Sequence, residues 1–200
     1  MDTIITFEEV NTLLADAPDI RPRPTFHNLR ALHRYIIRQL RTIYCPQSPL
    51  LGWAGIIMSP VMYALLEAIA WFNPPNPGET VAYPGHRNLP RAEMSTLDAR
   101  FQRAKNYFLS YINVYRALYR LLDMKIDDAF KARTVNGHIG WKANMSIIDI
   151  FTQVVNTYGR PSTGILFEND QTFRSRYDPR EPPEMLFRRI EDTQEVSLPA

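Results

Sequence analysis

The stretch that decides the fold is Leu50–Phe72, LLGWAGIIMSPVMYALLEAIAWF, which holds 23 residues and a single charged side chain, Glu67. An apolar helix of this length can cross a bilayer. The segment before it, Arg21–Arg41, carries six arginines and no acidic residue, and a basic flank is typical of the cytoplasmic side of a membrane span. The same pattern also fits a soluble helical domain in which a buried hairpin lies beside a cationic surface helix.

The dipeptide Ser59-Pro60 favours the soluble interpretation. Proline inside a helix removes a backbone hydrogen bond, whereas serine followed by proline is typical of the N-cap and first position of a new helix. The hydrophobic share of 45% and charged share of 22% are those of an ordinary globular protein. We therefore predict two short elements meeting at Ser59, both part of a helical core, and no membrane partner.

Helical periodicity continues along nearly the whole chain. Apolar residues recur at three- and four-residue steps, and strand-like alternation of useful length is absent from the sequence. Helix starts are marked by Thr6, Thr25 and Ser146, the first and last with an acidic residue three positions later, and Gly159 marks a helix end. We predict an all-α helical bundle with two small helical lobes.

The chain divides into three parts by composition. An acidic arm with one short helix is expected at 1–24, and a helical lobe at 25–140, interrupted by the proline-rich loop 73–90. A partial C-terminal lobe is expected at 141–200. Its last helix, beginning at Pro183, is predicted to turn its apolar side chains toward the core.

A catalytic constellation is not recognisable. The four histidines lack metal-ligand spacing, Cys45 is the only cysteine, and no glycine-rich phosphate loop is present. Asp123, Asp127 and Asp128 lie beside Lys125 and Lys131 and are interpreted as a solvated face. We predict a non-enzymatic protein without cofactor, metal or small-molecule substrate.

A stripe of arginines follows one face of the helix predicted after Thr25. Four arginines at helical spacing can neutralise backbone phosphates, so they are candidate nucleic-acid-binding residues: Arg30, Arg34, Arg38 and Arg41. Pairing with the acidic arm, contact with another subunit, and simple exposure to water are the alternatives.

A ridge of tyrosines follows the longest predicted helix at four-residue steps. Such a ridge can stack on bases or form an interface, but it is more often a half-buried packing seam whose hydroxyl groups reach water. The candidate interface residues are Tyr107, Tyr111, Tyr115 and Tyr119.

The N-terminal sequence MDTIITFEEV is acidic and lacks the basic and apolar regions of a secretory signal. With a single cysteine the chain cannot form an intramolecular disulfide. Both features predict a cytoplasmic protein.

Several of these segments together resemble the Gag capsid region of copia-type LTR retrotransposons. The resemblance rests on an aromatic-rich helix from Phe101, a short helix and loop ending at Trp141, the segment SIIDIFTQVVNTYGRPS, and two further helices around a proline-containing turn. Upstream, FHNLRALHRYIIRQLRTI and GWAGIIMSPVMYALLE resemble the N-terminal lobe of such a protein. The likeness covers most of the chain from Thr25, through diffuse patterns of apolar and small residues.

This resemblance implies a structural function. Gag capsid regions are all-helical, often two-lobed, and self-associate into shells that package the RNA of the element. No catalytic residue is implied. The chain departs from the family in lacking a Cys-x-x-Cys zinc knuckle and in having only about three helices in its second lobe, which predicts a capsid fragment or truncated copy whose RNA binding depends on the arginine stripe. A homo-oligomer, with RNA as a second partner, is the expected assembly; a helical adaptor or nucleic-acid-binding domain is the alternative.

Overall fold

The computed structural model describes residues 4–82, 89–134, 145–160, 163–175, 182–187 and 189–190. Within these ranges the chain is helical and contains no strand, so the predicted all-α fold is confirmed. The elements are α1 (Phe7–Leu13), α2 (Phe26–Leu40), a 3-10 turn (Ala54–Ile56), α3 (Pro60–Glu67), α4 (Arg91–Lys125), α5 (Asp128–Thr134), α6 (Ile147–Tyr158) and α7 (Thr163–Arg174).

Polar side chains start the helices where the sequence predicts them. The side chains of Thr6 and Thr25 each accept a hydrogen bond from the backbone N–H three residues later. In return, the side chain of that later residue accepts from the threonine's own backbone N–H. Ser59 accepts from the backbone of Met62, with Pro60 at the first helical position, and Ser146 accepts from that of Asp149. These contacts satisfy backbone donors that no helical carbonyl can reach.

One hydrophobic core joins α1, α2, the segment around the 3-10 turn, the C-terminal half of α4, and α6. The largest fully buried side chains belong to it: Leu14, Ile20, Leu29, Leu32, Ile36, Leu40, Trp53, Ile57, Tyr63, Leu118, Leu122 and Ile126. Helix α2 lies between the 3-10 turn and α6, because its apolar residues at three- and four-residue steps face both.

The N-terminal segment, predicted as an acidic arm with one short helix at 1–24, contains helix α1 and contributes buried side chains to this core. Val10 on α1 and Ile20 beyond it are fully buried. Helix α1 packs on α4, where Asn113 donates to the carbonyl of Ile5 at 2.9 Å. The described acidic side chains of the segment, Glu8, Glu9, Asp16 and Asp19, are exposed.

Helix α6 shares the same core, so the packing is continuous across the division predicted at residues 140 and 141. His33 of α2 stacks on Phe151 of α6 with ring centroids 4.8 Å apart. The hydroxyl of Tyr115 donates to the carbonyl of Met145 at 2.6 Å. The predicted boundary itself, together with Trp141, lies outside the described residues.

The elements after α6 lie at the surface. Helix α7 has no buried residue. Residues 183–187 and 189–190 are helical, but Met185 and Phe187 are exposed rather than turned toward the core as predicted. Of the second lobe expected at 141–200, α6 shares the core, whereas the described helices after it add little to it.

A buried ion pair fixes α5 to the end of α4. Lys131 is 5% exposed and donates to Asp123 at 2.6 Å and to Asp128 at 2.8 Å. Burial lowers the pKa of this ammonium group, but the two carboxylates outweigh that effect and leave it raised. Asp123 and Asp128 are therefore structural partners of a buried lysine as well as exposed acids.

Candidate assembly surface

The two parts of the Leu50–Phe72 stretch have opposite environments. Residues 51–58, before Ser59, are all buried. Trp53 is packed between Tyr107 and Trp71, at centroid distances of 5.4 and 6.2 Å, and its indole donates to the carbonyl of Tyr44 at 3.1 Å. This first part forms a central piece of the core, as predicted.

The second part turns its apolar side chains to solvent, so the prediction that it too belongs to the core is wrong. Six large apolar residues are between 46 and 73% exposed: Val61, Met62, Leu65, Leu66, Ile69 and Phe72. The four on α3 cover an arc of about 140° at 100° per residue. We call these six residues the α3 face.

Helix α3 is attached to the core through its opposite side. Tyr63 is fully buried and meets Trp71 edge to face at 5.5 Å. Gly55 permits this approach, because a Cβ atom at that position would lie 2.2 Å from the Trp71 ring. The aromatic pair and the glycine together determine which side of α3 is buried.

Glu67 attaches the same side of α3 to the core through hydrogen bonds. Its Oε1 atom accepts hydrogen bonds from the hydroxyl of Ser48, which is fully buried, and from the backbone N–H of Leu51 at 2.8 Å. This carboxylate joins the exposed part of the stretch to the buried part.

The side chains of Tyr107, Gln47 and Cys45 form a second polar cluster in this part of the molecule. The hydroxyl of Tyr107 donates to Gln47 at 2.8 Å and lies 3.8 Å from the sulfur of Cys45, while Gln47 donates to the carbonyl of Ala70. Burial raises the pKa values of Cys45, Tyr63 and Tyr107. These groups are therefore neutral at physiological pH, and their arrangement is structural.

The α3 face is large for an apolar surface. Its six side chains expose on the order of 600 Å², the upper end of the range for the largest apolar patch of a typical monomer, and patches of this size are often functional. The face has no charged side chain, and no Lys or Arg occurs between residues 42 and 86. A neutral apolar patch fits another apolar protein surface, whereas anionic lipid or nucleic acid would require neighbouring cations.

The predicted arginine stripe lies on the outer side of α2. Arg34, Arg38 and Arg41 are exposed, and Arg30 is half-buried with its guanidinium 5.8 Å from the Phe26 ring centroid. The structure therefore brings three of the four residues to one accessible face, at one turn of helix from each other. The ion pair formed by the acidic segment in this region joins Asp19 to Arg21, with nitrogen and oxygen 3.0 Å apart.

The predicted tyrosine ridge lies against the core. All four tyrosines are half-buried and pack on core residues. The hydroxyl group of Tyr107 donates to Gln47 and that of Tyr115 to the carbonyl of Met145. The rings of Tyr111 and Tyr115 lie 6.1 Å apart, and a role of the ridge in contacts with another chain stays a prediction.

Sequence reasoning located the α3 residues but missed their exposure. The missed signal is the pattern within Pro60–Phe72, where apolar residues surround the helix and Glu67 is the one charged residue available for a polar attachment. An all-apolar helix is usually buried on every side. An exposed one marks an interaction site.

Among the described residues no helix combines the length and apolarity needed to cross a bilayer. In the same ranges, no three His, Cys, Asp or Glu side chains converge as a metal site would require. Comparison with models of protein families, with curated proteins and with solved structures gives no match.

Proposed function

We propose that this protein is a structural, self-assembling capsid protein of the retrotransposon Gag kind, and that copies associate through the α3 face. The observation that carries the proposal is the exposure of six large apolar side chains on and just after α3, four of which lie on the side of the helix opposite Tyr63 and Glu67. Isolated exposed apolar residues are normal, but a large exposed apolar group often marks a contact.

A second copy of the chain is the partner that fits this face best. Two copies related by a two-fold axis would bury about 1,200 Å² in total, the lower end of specific, stable interfaces. The absence of charge on the face means that self-pairing brings no like charges together. An interface of this small size is reversible, which suits a shell built from many weak contacts.

The resemblance in the sequence supports the finer assignment. The all-helical fold agrees with the expectation, and the segments quoted for the likeness include α2, α3, α4 and α6. The retrotransposon origin, the packaging of RNA and the non-enzymatic role depend on that likeness and are part of the proposal.

Sedimentation velocity of the purified chain at about 1–200 µM tests the association. We expect the weight-average mass to rise with concentration above that of a monomer. Leu65→Asp places a charge within the face and should weaken association through the α3 face at least tenfold, since burying an unpaired charge is costly. Ala31→Asp adds the same charge at an exposed position of α2 and should have little effect. A wild-type chain that remains monomeric throughout would contradict the proposal.

Binding of RNA through the arginine stripe is the second candidate function. The observation favouring it is the accessible row formed by Arg34, Arg38 and Arg41 on α2. Binding of single-stranded RNA should weaken steeply with salt. Replacing all three with Gln should remove most of the affinity and flatten the salt slope, whereas replacing the exposed arginines of α4, Arg100 and Arg103, should change it less. Equal losses from both sets would argue against a site on α2.

A further inference from the structure

The first half of α4 extends beyond the core. The helix contains 35 residues, and its buried residues begin only at Ser110. Residues 91–106 therefore form about 24 Å of helix before the first described core contact of α4, which Tyr107 makes with Trp53. A helix of this length is marginal in water when no packing supports it, so a partner for this half would contribute stability that the described core does not.

An apolar seam follows this half at alternating three- and four-residue steps. Its members are Met94, Leu97, Phe101, Ala104 and Phe108. This spacing is that of the contact positions of a two-stranded coiled coil. Met94 and Ala104 are exposed, and the other three are half-buried.

Charge along the same half changes sign. Glu93 and Asp98 come first, followed by Arg100, Arg103 and Lys105. The helix dipole accounts for an acidic residue in the first turn. It does not account for three cations in the middle of the helix, about 20 residues before its end.

We propose that the first half of α4 pairs in antiparallel orientation with the same segment of a second copy. In this pairing Phe101 lies opposite the small residue Ala104 of the second copy, and Asp98 lies beside its Lys105. Asp98 and Lys105 are seven residues apart and therefore flank the seam on the same side. A parallel pairing would place Phe101 against itself and cations against cations.

This inference rests on the proposed function and adds a second contact between copies, which the α3 face alone does not provide. A two-fold contact through one surface closes as a dimer and cannot grow further. A second, different two-fold contact links such dimers to each other. When the α3 face and the first half of α4 each pair with the same segment of another copy, one chain has the two contacts that a larger assembly needs.

Variants that separate the two contacts test the inference. Ala104→Glu places a charge in the α4 seam at an exposed position, and its matched control Gln102→Glu places the same charge on another face of the helix. By sedimentation velocity we expect the wild type and Gln102→Glu to exceed the mass of a dimer. Ala104→Glu should stop at twice the mass of one chain, as should Leu65→Asp, and the double variant should be a monomer.

Charge exchange tests the orientation of the pairing. Asp98→Lys and Lys105→Asp should each reduce assembly beyond the dimer about tenfold, and the double variant should restore it, because each exchanged residue then meets its opposite in the second copy. Circular dichroism and the unfolding midpoint check that each variant is folded.

If Ala104→Glu assembles to the same mass as the wild type, the α4 inference is wrong and the proposed function stands. If the wild type never exceeds a monomer, the proposed function is wrong. Failure of the double charge variant to recover would overturn the antiparallel orientation.

Discussion

Residues 51–58 and 60–72 are similarly apolar, yet the structure uses them in opposite ways. The first part is buried around Trp53, while the second exposes six large apolar side chains. Composition does not distinguish them. The difference lies in what each part can attach to, because the first passes between α2 and α4, whereas the second has core neighbours on one side only. An apolar sequence therefore predicts that a segment needs a partner, but not whether the partner belongs to the same chain.

The largest loss of stability is expected when the side chain at the centre of the buried part is removed. Trp53→Ala should lower the free energy of unfolding by about 3–5 kcal/mol, since it removes a large buried ring and leaves a cavity. Urea denaturation followed by circular dichroism measures the change. Leu50→Ala is the matched control, because Leu50 is only three residues away but 67% exposed; an equal loss there would mean that the first part is not the buried one.

Removing the link between the two parts should have the next largest effect. Glu67→Ala leaves the Ser48 hydroxyl and the Leu51 N–H without their acceptor, which should cost about 1–3 kcal/mol in the free energy of unfolding. Glu67→Gln keeps an acceptor oxygen of similar shape and should retain most of the stability. If both variants lose stability equally in urea denaturation, the attachment depends on charge rather than on the hydrogen bonds described.

High pH should loosen the buried part and leave the α3 face unaffected. The pKa values of Cys45, Tyr63 and Tyr107 are raised by burial in the folded chain. Their neutral forms therefore contribute stability in full below the unfolded pKa values, and this contribution is lost as pH rises through the folded ones. We expect the free energy of unfolding to fall above about pH 9, by less at pH 10 than the loss from Glu67→Ala. Denaturation curves at pH 7, 9 and 10 measure it.

In those curves, Cys45→Ala should show a weaker dependence on pH than the wild type, because it removes one of the three groups. An unchanged slope in this variant would mean that the thiol does not contribute to the linkage.

The smallest stability effect is expected on the exposed part. Leu65→Ala should change the free energy of unfolding of the monomer by no more than about 0.5 kcal/mol. The same substitution at Leu51, which is 3% exposed in the buried part, should cost about 2–5 kcal/mol. Thermal unfolding below 1 µM, where association is minimal, compares the two. A large loss at Leu65 would indicate that the α3 face is covered within the monomer.

Helix positions could be predicted from the sequence because their causes are local. Thr6, Thr25, Ser59 and Ser146 each satisfy a backbone donor within three residues, so their effect depends on sequence neighbours alone. The arginine stripe was predictable for the same reason, since helical spacing places Arg34, Arg38 and Arg41 on one side wherever α2 packs.

The candidate site could not be predicted because its causes are not local. The acidic residues within 1–24 predicted an arm, and the structure buries Val10 and Ile20 of that segment and packs α1 on α4. Glu67 bonds to Ser48 and to the backbone of Leu51, which are 19 and 16 residues away in sequence. Each of these outcomes depends on contacts between residues distant in sequence, which periodicity does not encode.

For the Leu50–Phe72 stretch, the sequence by itself determined that the apolar run is interrupted and that a helix begins after Ser59, because a cap and a proline act on the adjacent backbone. The tertiary structure decided which side of that helix is buried. Tyr63 packs on Trp71 above the space left by Gly55, and Glu67 is bound at Leu51. The remaining apolar side chains of α3 face outward because every core contact available to this helix lies on its other side.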